Sequence, residues 1–233
     1  MSPQARPSSR RDETYLRETL KPLYGLIFVF PMVLIFHLFT RNMRVNILVL
    51  SYFRGTASIL PPLAIVTILM LQHLCKRDRW DLRWRVFGGM AVESVIWMLP
   101  LMAASHITAM LFLTATQPDA CSRVDSILIG MGGGVYEEFV FHLIGIGLIM
   151  VIFVDGLSIP RIPVAIAAIA ITAVLFAFSH TNIPPFQGTD AFSAKDFAFR
   201  TAAGLCLGTL FLLRGFGIAV GAHVMWNIYV FVV

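Results

Sequence analysis

The feature that most constrains this chain is a series of long apolar segments, each of the length that crosses a lipid bilayer. A transmembrane helix needs about 20 consecutive, mostly apolar residues, and seven such segments are predicted. They cover residues 23–40, 47–74, 86–115, 126–154, 161–180, 197–213 and 215–233. The sequence therefore predicts an all-α fold, a polytopic transmembrane helical bundle of about seven spans.

The composition excludes an ordinary water-soluble domain. Of the 233 residues, 58% are hydrophobic and only 13% are charged, and the charged fraction of soluble domains is about twice as high. A soluble fold exposes much of its apolar surface and cannot hide so large a fraction. We therefore expect an integral, multi-pass membrane protein in contact with the lipid bilayer, located in a bacterial cytoplasmic membrane.

The net charge of +5 comes from short basic tracts beside apolar segments. Such tracts are typical of topogenic charges on the cytoplasmic side, and no aromatic–basic motif indicates a nucleic-acid partner. Two tracts with five cations each, within residues 6–21 and 76–85, are separated by an even number of spans, so both can be cytoplasmic. We expect a polar, disordered, cytoplasmic N-terminal tail over residues 1–22 and a transmembrane domain over residues 23–233.

Ionisable residues inside the fourth predicted span indicate a functional site. A charged group at mid-bilayer costs about 2.5–3.5 kcal/mol on insertion scales, so such residues are rare and mostly functional. Glu137 and Glu138 are adjacent and point about 100° apart on a helix, so they cannot do the same job. Glu138 and His142 are four residues apart and share a face. The glycines at 132–134 allow a neighbouring helix to approach closely or water to enter.

Two later spans carry polar groups that complete this cluster. His180 ends the fifth predicted span, and His223 and Asn227 lie four residues apart in the seventh. A carboxylate with a histidine can deprotonate water, and a histidine with an asparagine can donate hydrogen bonds to a developing oxyanion. The same groups can also bind a divalent metal with one position left for water. A proton relay in a proton-coupled transporter is an alternative use of the paired carboxylates.

The order of these motifs resembles the CPBP family of membrane proteases, which includes the type II CAAX prenyl endopeptidases and bacteriocin-processing or immunity proteins. The matching stretches are 137–141, 176–180 and 223–227, each on its own predicted span, within a core of residues 126–230. The resemblance implies a helical membrane fold with its active site below the membrane surface. It also implies an intramembrane endopeptidase that cleaves membrane-associated proteins or peptides, lipidated substrates included.

The resemblance implies a role for each matching residue. Glu137 would be the general base, assisted by His180, that activates water for attack on a peptide carbonyl. His223 and Asn227 would stabilise the oxyanion, and Glu138 would support the site. The resemblance leaves open whether the enzyme needs no cofactor or a divalent metal such as zinc. With a metal, the expected ligands are Glu137, His180 and His223.

One position departs from the family pattern. The first motif usually has an arginine where this chain has His142, and histidine is shorter and cannot form a bidentate fork with a carboxylate. His142 therefore replaces the arginine as the partner of Glu138, or adds a metal ligand, or marks weakened catalysis in a scaffold or immunity protein of the same fold. The charge pattern also places His180 near the outer face, whereas family members acting on prenylated proteins present their site to the cytosol.

Overall fold

The computed structural model describes most of the chain as helices. The described residues are 14–40, 58–112, 123–184, 188 and 190–232. Within these ranges the one β pairing is an isolated bridge between Thr181 and Asp190. The main helices are α1 (Pro22–Phe39), α2 (Leu60–Lys76), α3 (Trp84–Phe112), α4 (Arg123–Gly156), α5 (Arg161–Ser179), α6 (Ala194–Arg214) and α7 (Phe216–Val232). The predicted all-α membrane bundle is confirmed.

Five of these helices, α1 and α3 to α6, are long and apolar enough to cross a membrane, and α2 and α7 are shorter apolar helices of 17 residues. At 1.5 Å per residue a 17-residue helix spans about 26 Å, slightly less than a hydrocarbon core of about 30 Å. The beginning of the second predicted span, 47–74, lies outside the described residues. The chain is an integral, multi-pass membrane protein.

The helices alternate in direction, which gives the bundle two ends. We call the end with the N-termini of α1, α3, α5 and α7 the first end, and the opposite end the second end. At the first end the Tyr24 hydroxyl donates to the carbonyl of Asp81 at 3.0 Å and accepts from the backbone N–H of Arg83 at 2.9 Å. These bonds join the start of α1 to the α2–α3 connection. The described cations of both basic tracts therefore lie at the same end.

Glycines on α4 allow its neighbours to pack directly against its backbone. A Cβ atom added at Gly132 would overlap the ring of Phe36 on α1. At Gly134 it would lie 3.1 Å from Cγ2 and 3.3 Å from the backbone nitrogen of Val224 on α7. The expectation that these glycines admit a close neighbouring helix is confirmed, and it explains how α4 comes to lie in the centre of the bundle.

We expect Gly132→Val to lower the thermal unfolding midpoint of the protein in detergent. Phe36 is 1% exposed, so its ring has no free space into which to move, and overpacking of a buried contact costs about 1–3 kcal/mol. The matched control is Gly147→Val on the same helix, where no atom of the described part of the chain lies within 4 Å of an added Cβ. Circular dichroism during heating measures both variants, and equal midpoints would contradict the packing argument.

Part of the predicted N-terminal tail is ordered. Residues 14–19 are helical, Glu18 and Thr19 are buried, and the Tyr15 hydroxyl donates to Glu93 on α3 at 2.8 Å. Burial and the neighbouring Glu93 carboxylate raise the pKa of the Tyr15 phenol. The prediction of disorder is wrong for this stretch because these side chains find partners on the bundle, while residues 1–13 lie outside the described part of the chain.

Candidate active site

The central helix α4 changes its winding where the site begins. It is an α-helix from Arg123 to Glu137 and a π-helix from Glu138 to Ile146. Such π-helical segments are rare and occur frequently at functional sites. In this segment the Nδ1 atom of His142 lies 2.6 Å from Oε2 of Glu138. The prediction that these two residues share one face is confirmed.

Glu138 is completely buried, and both of its oxygens are hydrogen-bonded. Its side chain is 0% exposed. Oε2 contacts His142, and Oε1 lies 2.9 Å from Nδ1 of His223 on α7. A buried carboxylate without partners is costly, so these two imidazoles hold it in place. Glu138 therefore links the π-helical segment of α4 to α7.

Glu137 has a different environment from its neighbour. Its side chain is 17% exposed, and two imidazole nitrogens face its two oxygens. Nε2 of His180 lies 3.5 Å from Oε1, and Nε2 of His223 lies 3.6 Å from Oε2. Both separations exceed the donor–acceptor distance of a direct charge-assisted hydrogen bond, which is about 2.7–2.9 Å. The carboxylate thus keeps acceptor capacity for a water molecule bound beside it and the two rings.

Hydrogen bonds on the far side of each ring orient the two histidines. Nδ1 of His180 lies 2.9 Å from the carbonyl oxygen of Phe176, and because a carbonyl can only accept, Nδ1 carries the hydrogen. Nδ1 of His223 is occupied by Glu138. The Phe176 ring also meets both imidazoles edge-on, with centroids 5.0 Å from His180 and 5.8 Å from His223. Both Nε2 atoms are therefore held towards Glu137.

A cavity of about 290 Å³ adjoins Glu137 and extends towards the second end of the bundle. Asn227 lines it and donates from Nδ2 to the carbonyl of Gly130 at 2.8 Å. This bond uses one of the two amide hydrogens of Asn227. Other lining residues include Gly133, Glu137, Phe176, His180, Arg200, His223 and Trp226. The cavity therefore has many aromatic and apolar lining residues, and its polar ones include Glu137 and the two histidines that face it.

The structure brings the predicted site residues together. Glu137, Glu138, His142, His180 and His223 form one network of contacts, and Asn227 lines the same cavity. His142 is not among the residues that line the cavity, since it lies beyond Glu138.

Sequence reasoning missed two residues near this network. One is Arg200 on α6, which lines the cavity and pairs with Asp190 at 2.6 Å. The other is Gly208 on α6, where an added Cβ would lie 3.2 Å from the His142 ring. No motif marked either residue, because a cation near a helix start and a glycine in an apolar helix are both common.

The described residues contain no group of three or more His, Cys, Asp or Glu side chains arranged to hold a metal ion. Of the ligands expected if a metal is bound, His180 and His223 both lie beside the carboxylate of the third, Glu137, at the 3.5 and 3.6 Å separations given above. Nδ1 of His142 contacts Glu138, and its Nε2 is buried without a hydrogen-bond partner among the residues that the structure describes. This geometry favours His142 as the partner of Glu138 over His142 as an added metal ligand.

A partly buried ion pair lies outside this cavity, near the first end. Nε and Nη2 of Arg214 donate to Oε1 and Oε2 of Glu93 at 2.5 and 2.8 Å. Trp97 also donates to Oε1 at 3.2 Å, and Tyr15 donates to Oε2. Glu93 is therefore paired with an arginine. The pair joins α3, α6 and the N-terminal helical turns.

We expect Arg214→Leu to destabilise the protein by about 3 kcal/mol, the lower end of the range for removing one partner of a buried ion pair. The reason is that the Glu93 carboxylate, 17% exposed, would lose both of its charged hydrogen bonds. Arg161→Leu, at an exposed position of the same end, is the matched control. Unfolding by denaturant in mixed micelles measures the difference, and equal stabilities would contradict this assignment.

Comparison with known proteins gave one family. Residues 120–229 match the family model described as Type II CAAX prenyl endopeptidase Rce1-like. The match covers slightly less than half of the chain, from just before α4 to a point within α7. It includes all six predicted site residues. Neither the curated proteins nor the solved structures gave a match. The family assignment therefore rests on the four helices that carry the site.

Proposed function

The chain belongs, through residues 120–229, to the Type II CAAX prenyl endopeptidase Rce1-like family of CPBP intramembrane proteases, and we propose that it hydrolyses peptide bonds in membrane-associated proteins or peptides. The observation that carries the proposal is the contrast between two adjacent glutamates. Glu138 is buried and fully hydrogen-bonded, while Glu137 faces a cavity with two imidazole Nε2 atoms beside it. The Glu138 carboxylate is fixed by its hydrogen bonds, and the Glu137 carboxylate is free to exchange a proton.

In the proposed reaction Glu137 accepts a proton from a water molecule that is hydrogen-bonded to both Glu137 and His180. The water oxygen then forms a bond to the peptide carbonyl carbon, and the carbonyl oxygen becomes negatively charged. The second amide hydrogen of Asn227, and Nε2–H of His223 when that ring is protonated on both nitrogens, donate to this oxyanion. The C–N bond then breaks, and the proton held by Glu137 passes to the leaving amine.

The contacts of Glu138 support a catalytic site over a scaffold or immunity protein. His142 binds Glu138 at 2.6 Å with both side chains buried, so histidine here takes the place of the arginine that the family pattern has. Glu138 in turn holds Nδ1 of His223. The departure from the family pattern thus leaves a continuous chain of contacts from His142 to the Nε2 atom beside Glu137.

The position of the cavity supports a site that opens opposite the N-terminus. Nine of the described cations lie at the first end, among them Lys21, Lys76 and Arg83, whereas Arg123, Lys195 and Arg200 lie at the second end. Because cytoplasmic ends carry the excess of Lys and Arg, the first end would be cytoplasmic. Substrate would then reach the cavity from the outer side of a bacterial cytoplasmic membrane.

We expect a membrane-impermeant maleimide to label Asn182→Cys in intact cells and to leave Arg79→Cys unlabelled. Both positions are exposed and lie at opposite ends of the bundle. The background has Cys75, Cys121 and Cys206 replaced by serine. Permeabilised cells provide the control in which both positions react, and the reverse pattern in intact cells would invert the orientation.

Hydrolysis is tested with purified protein in proteoliposomes, a library of peptides with apolar anchors, and water enriched in ¹⁸O. Mass spectrometry should find new C-termini carrying ¹⁸O, which requires water as the nucleophile. A transporter would give ion flux without cleavage, and an absence of products above the Glu137→Gln background would overturn the proposal. A parallel arm with a chelator, together with elemental analysis, decides between a cofactor-free and a metal-assisted reaction.

A further inference from the structure

The first end of the bundle contains a second cavity, at the opposite end from the candidate active site. Its volume is about 720 Å³. Its walls come from the N-terminal helical turns, the start of α1 and the end of α2 with the residues that follow. The lining residues are Thr14, Arg17, Glu18, Leu20, Lys21, Lys76, Asp78 and Arg79. Nothing in the proposed hydrolysis uses this cavity.

The cavity has more cations than its own acidic residues can neutralise. Four of its lining residues are cations and two are acids. Glu18 accepts from Lys21 at 2.8 Å, while Arg17, Lys76 and Arg79 are exposed and form no ion pair with another residue that the structure describes. Three unpaired cations around one concave surface attract an anion with several acceptor oxygens.

The surroundings place this surface at the level of the lipid headgroups. Trp80 and Trp84 beside it are 63% and 78% exposed, as is typical of the aromatic belt at a membrane interface. Leu20 lines the cavity and is 42% exposed, and Leu16, four residues earlier on the N-terminal helical turns, is 45% exposed. The cations therefore border an apolar surface that faces lipid chains.

We propose that this cavity binds the headgroup of an anionic phospholipid. The phosphate would lie among Arg17, Lys76 and Arg79, and the acyl chains would run along Leu16 and Leu20. Basic pockets at the cytoplasmic ends of transmembrane helices bind such headgroups. A free phosphate ion would use the cations alone, whereas a phospholipid uses the cations and the apolar surface below them, so the amphipathic wall favours the lipid.

Native mass spectrometry of the full chain, titrated with phosphatidylglycerol or phosphatidylcholine, tests the proposal. The wild type should bind phosphatidylglycerol in preference to phosphatidylcholine. The variant R17Q/K76Q/R79Q should lose at least about tenfold in affinity for phosphatidylglycerol. The control R83Q/R85Q/R161Q removes the same charge from the same end outside the cavity, and it should lose less than about twofold.

Three outcomes would overturn the proposal. Equal losses in the two triple variants would mean diffuse attraction to a basic surface. Displacement of phosphatidylglycerol by glycerol 3-phosphate at equal concentration would indicate a site for soluble phosphates. Equal binding of phosphatidylcholine would mean that the charges do not select the lipid. R17K/K76R/R79K, which keeps every charge, should retain binding, and single Arg79→Gln replaces the triple variant if the latter fails to fold.

Discussion

Replacing Glu137 with glutamine should reduce peptide-bond cleavage by at least about 10²-fold, because general acid–base catalysis contributes about 10²–10⁴-fold. Glutamine has nearly the same shape, but its side chain is not a base that can take a proton from water. Since Glu137 makes only long contacts with His180 and His223, little packing is lost. The effect should therefore appear in the rate of cleavage and not in the stability of the fold.

Asp155→Asn is the matched control for this variant. Asp155 is an exposed carboxylate on the same helix, near the first end, so its loss removes the same charge away from the cavity. Both variants are compared with the wild type by peptide mass spectrometry and by thermal unfolding in detergent. Cleavage by Glu137→Gln at the wild-type rate would rule out Glu137 as the base, whatever the other site residues do.

The sequence predicted the helices well because the bilayer imposes their length and polarity. The fifth span was predicted over 161–180, and α5 is Arg161–Ser179. The sixth was predicted over 197–213, whereas α6 begins at Ala194. The hydroxyl of Ser193 caps this helix by accepting from the backbone N–H of Asp196 at 3.3 Å. A span predicted from hydropathy leaves out such a polar first turn, although a capping serine favours a helix that begins there.

The residues that cluster in the candidate site were predictable from the sequence, but the contacts between residues on different helices were not. Spacing of four residues places Glu138 and His142 on one face, and that contact is present. The bridging of both glutamates by His223 depends on how closely α7 approaches α4, which Gly134 sets by contact with Val224. Single-helix periodicity contains no information on such an approach. The π-helical winding that begins at Glu138 likewise has no signature in the motif.

The second large effect is expected at His142. In His142→Leu the fully buried Glu138 would keep His223 as its one partner, and removing one partner of a buried charged group costs about 3–5 kcal/mol. His223 is positioned by the same carboxylate, so cleavage should be lost along with stability. His142→Arg should restore a charged partner for Glu138 and keep both properties near the wild type. Thermal unfolding and the peptide-cleavage assay together measure this pair of variants.

The His142→Arg variant also distinguishes two hypotheses for His142, a substitute for the family arginine and a sign of weakened catalysis. If His142 replaces the family arginine, the wild type is already active and His142→Arg changes the rate little. A wild type without cleavage, beside a cleaving His142→Arg variant, would instead favour a scaffold or immunity protein. Space for the longer side chain depends on Gly208, whose added Cβ would lie 3.2 Å from the His142 ring. Adding Gly208→Ala to His142→Arg should therefore lower stability more than Gly208→Ala does in the wild type.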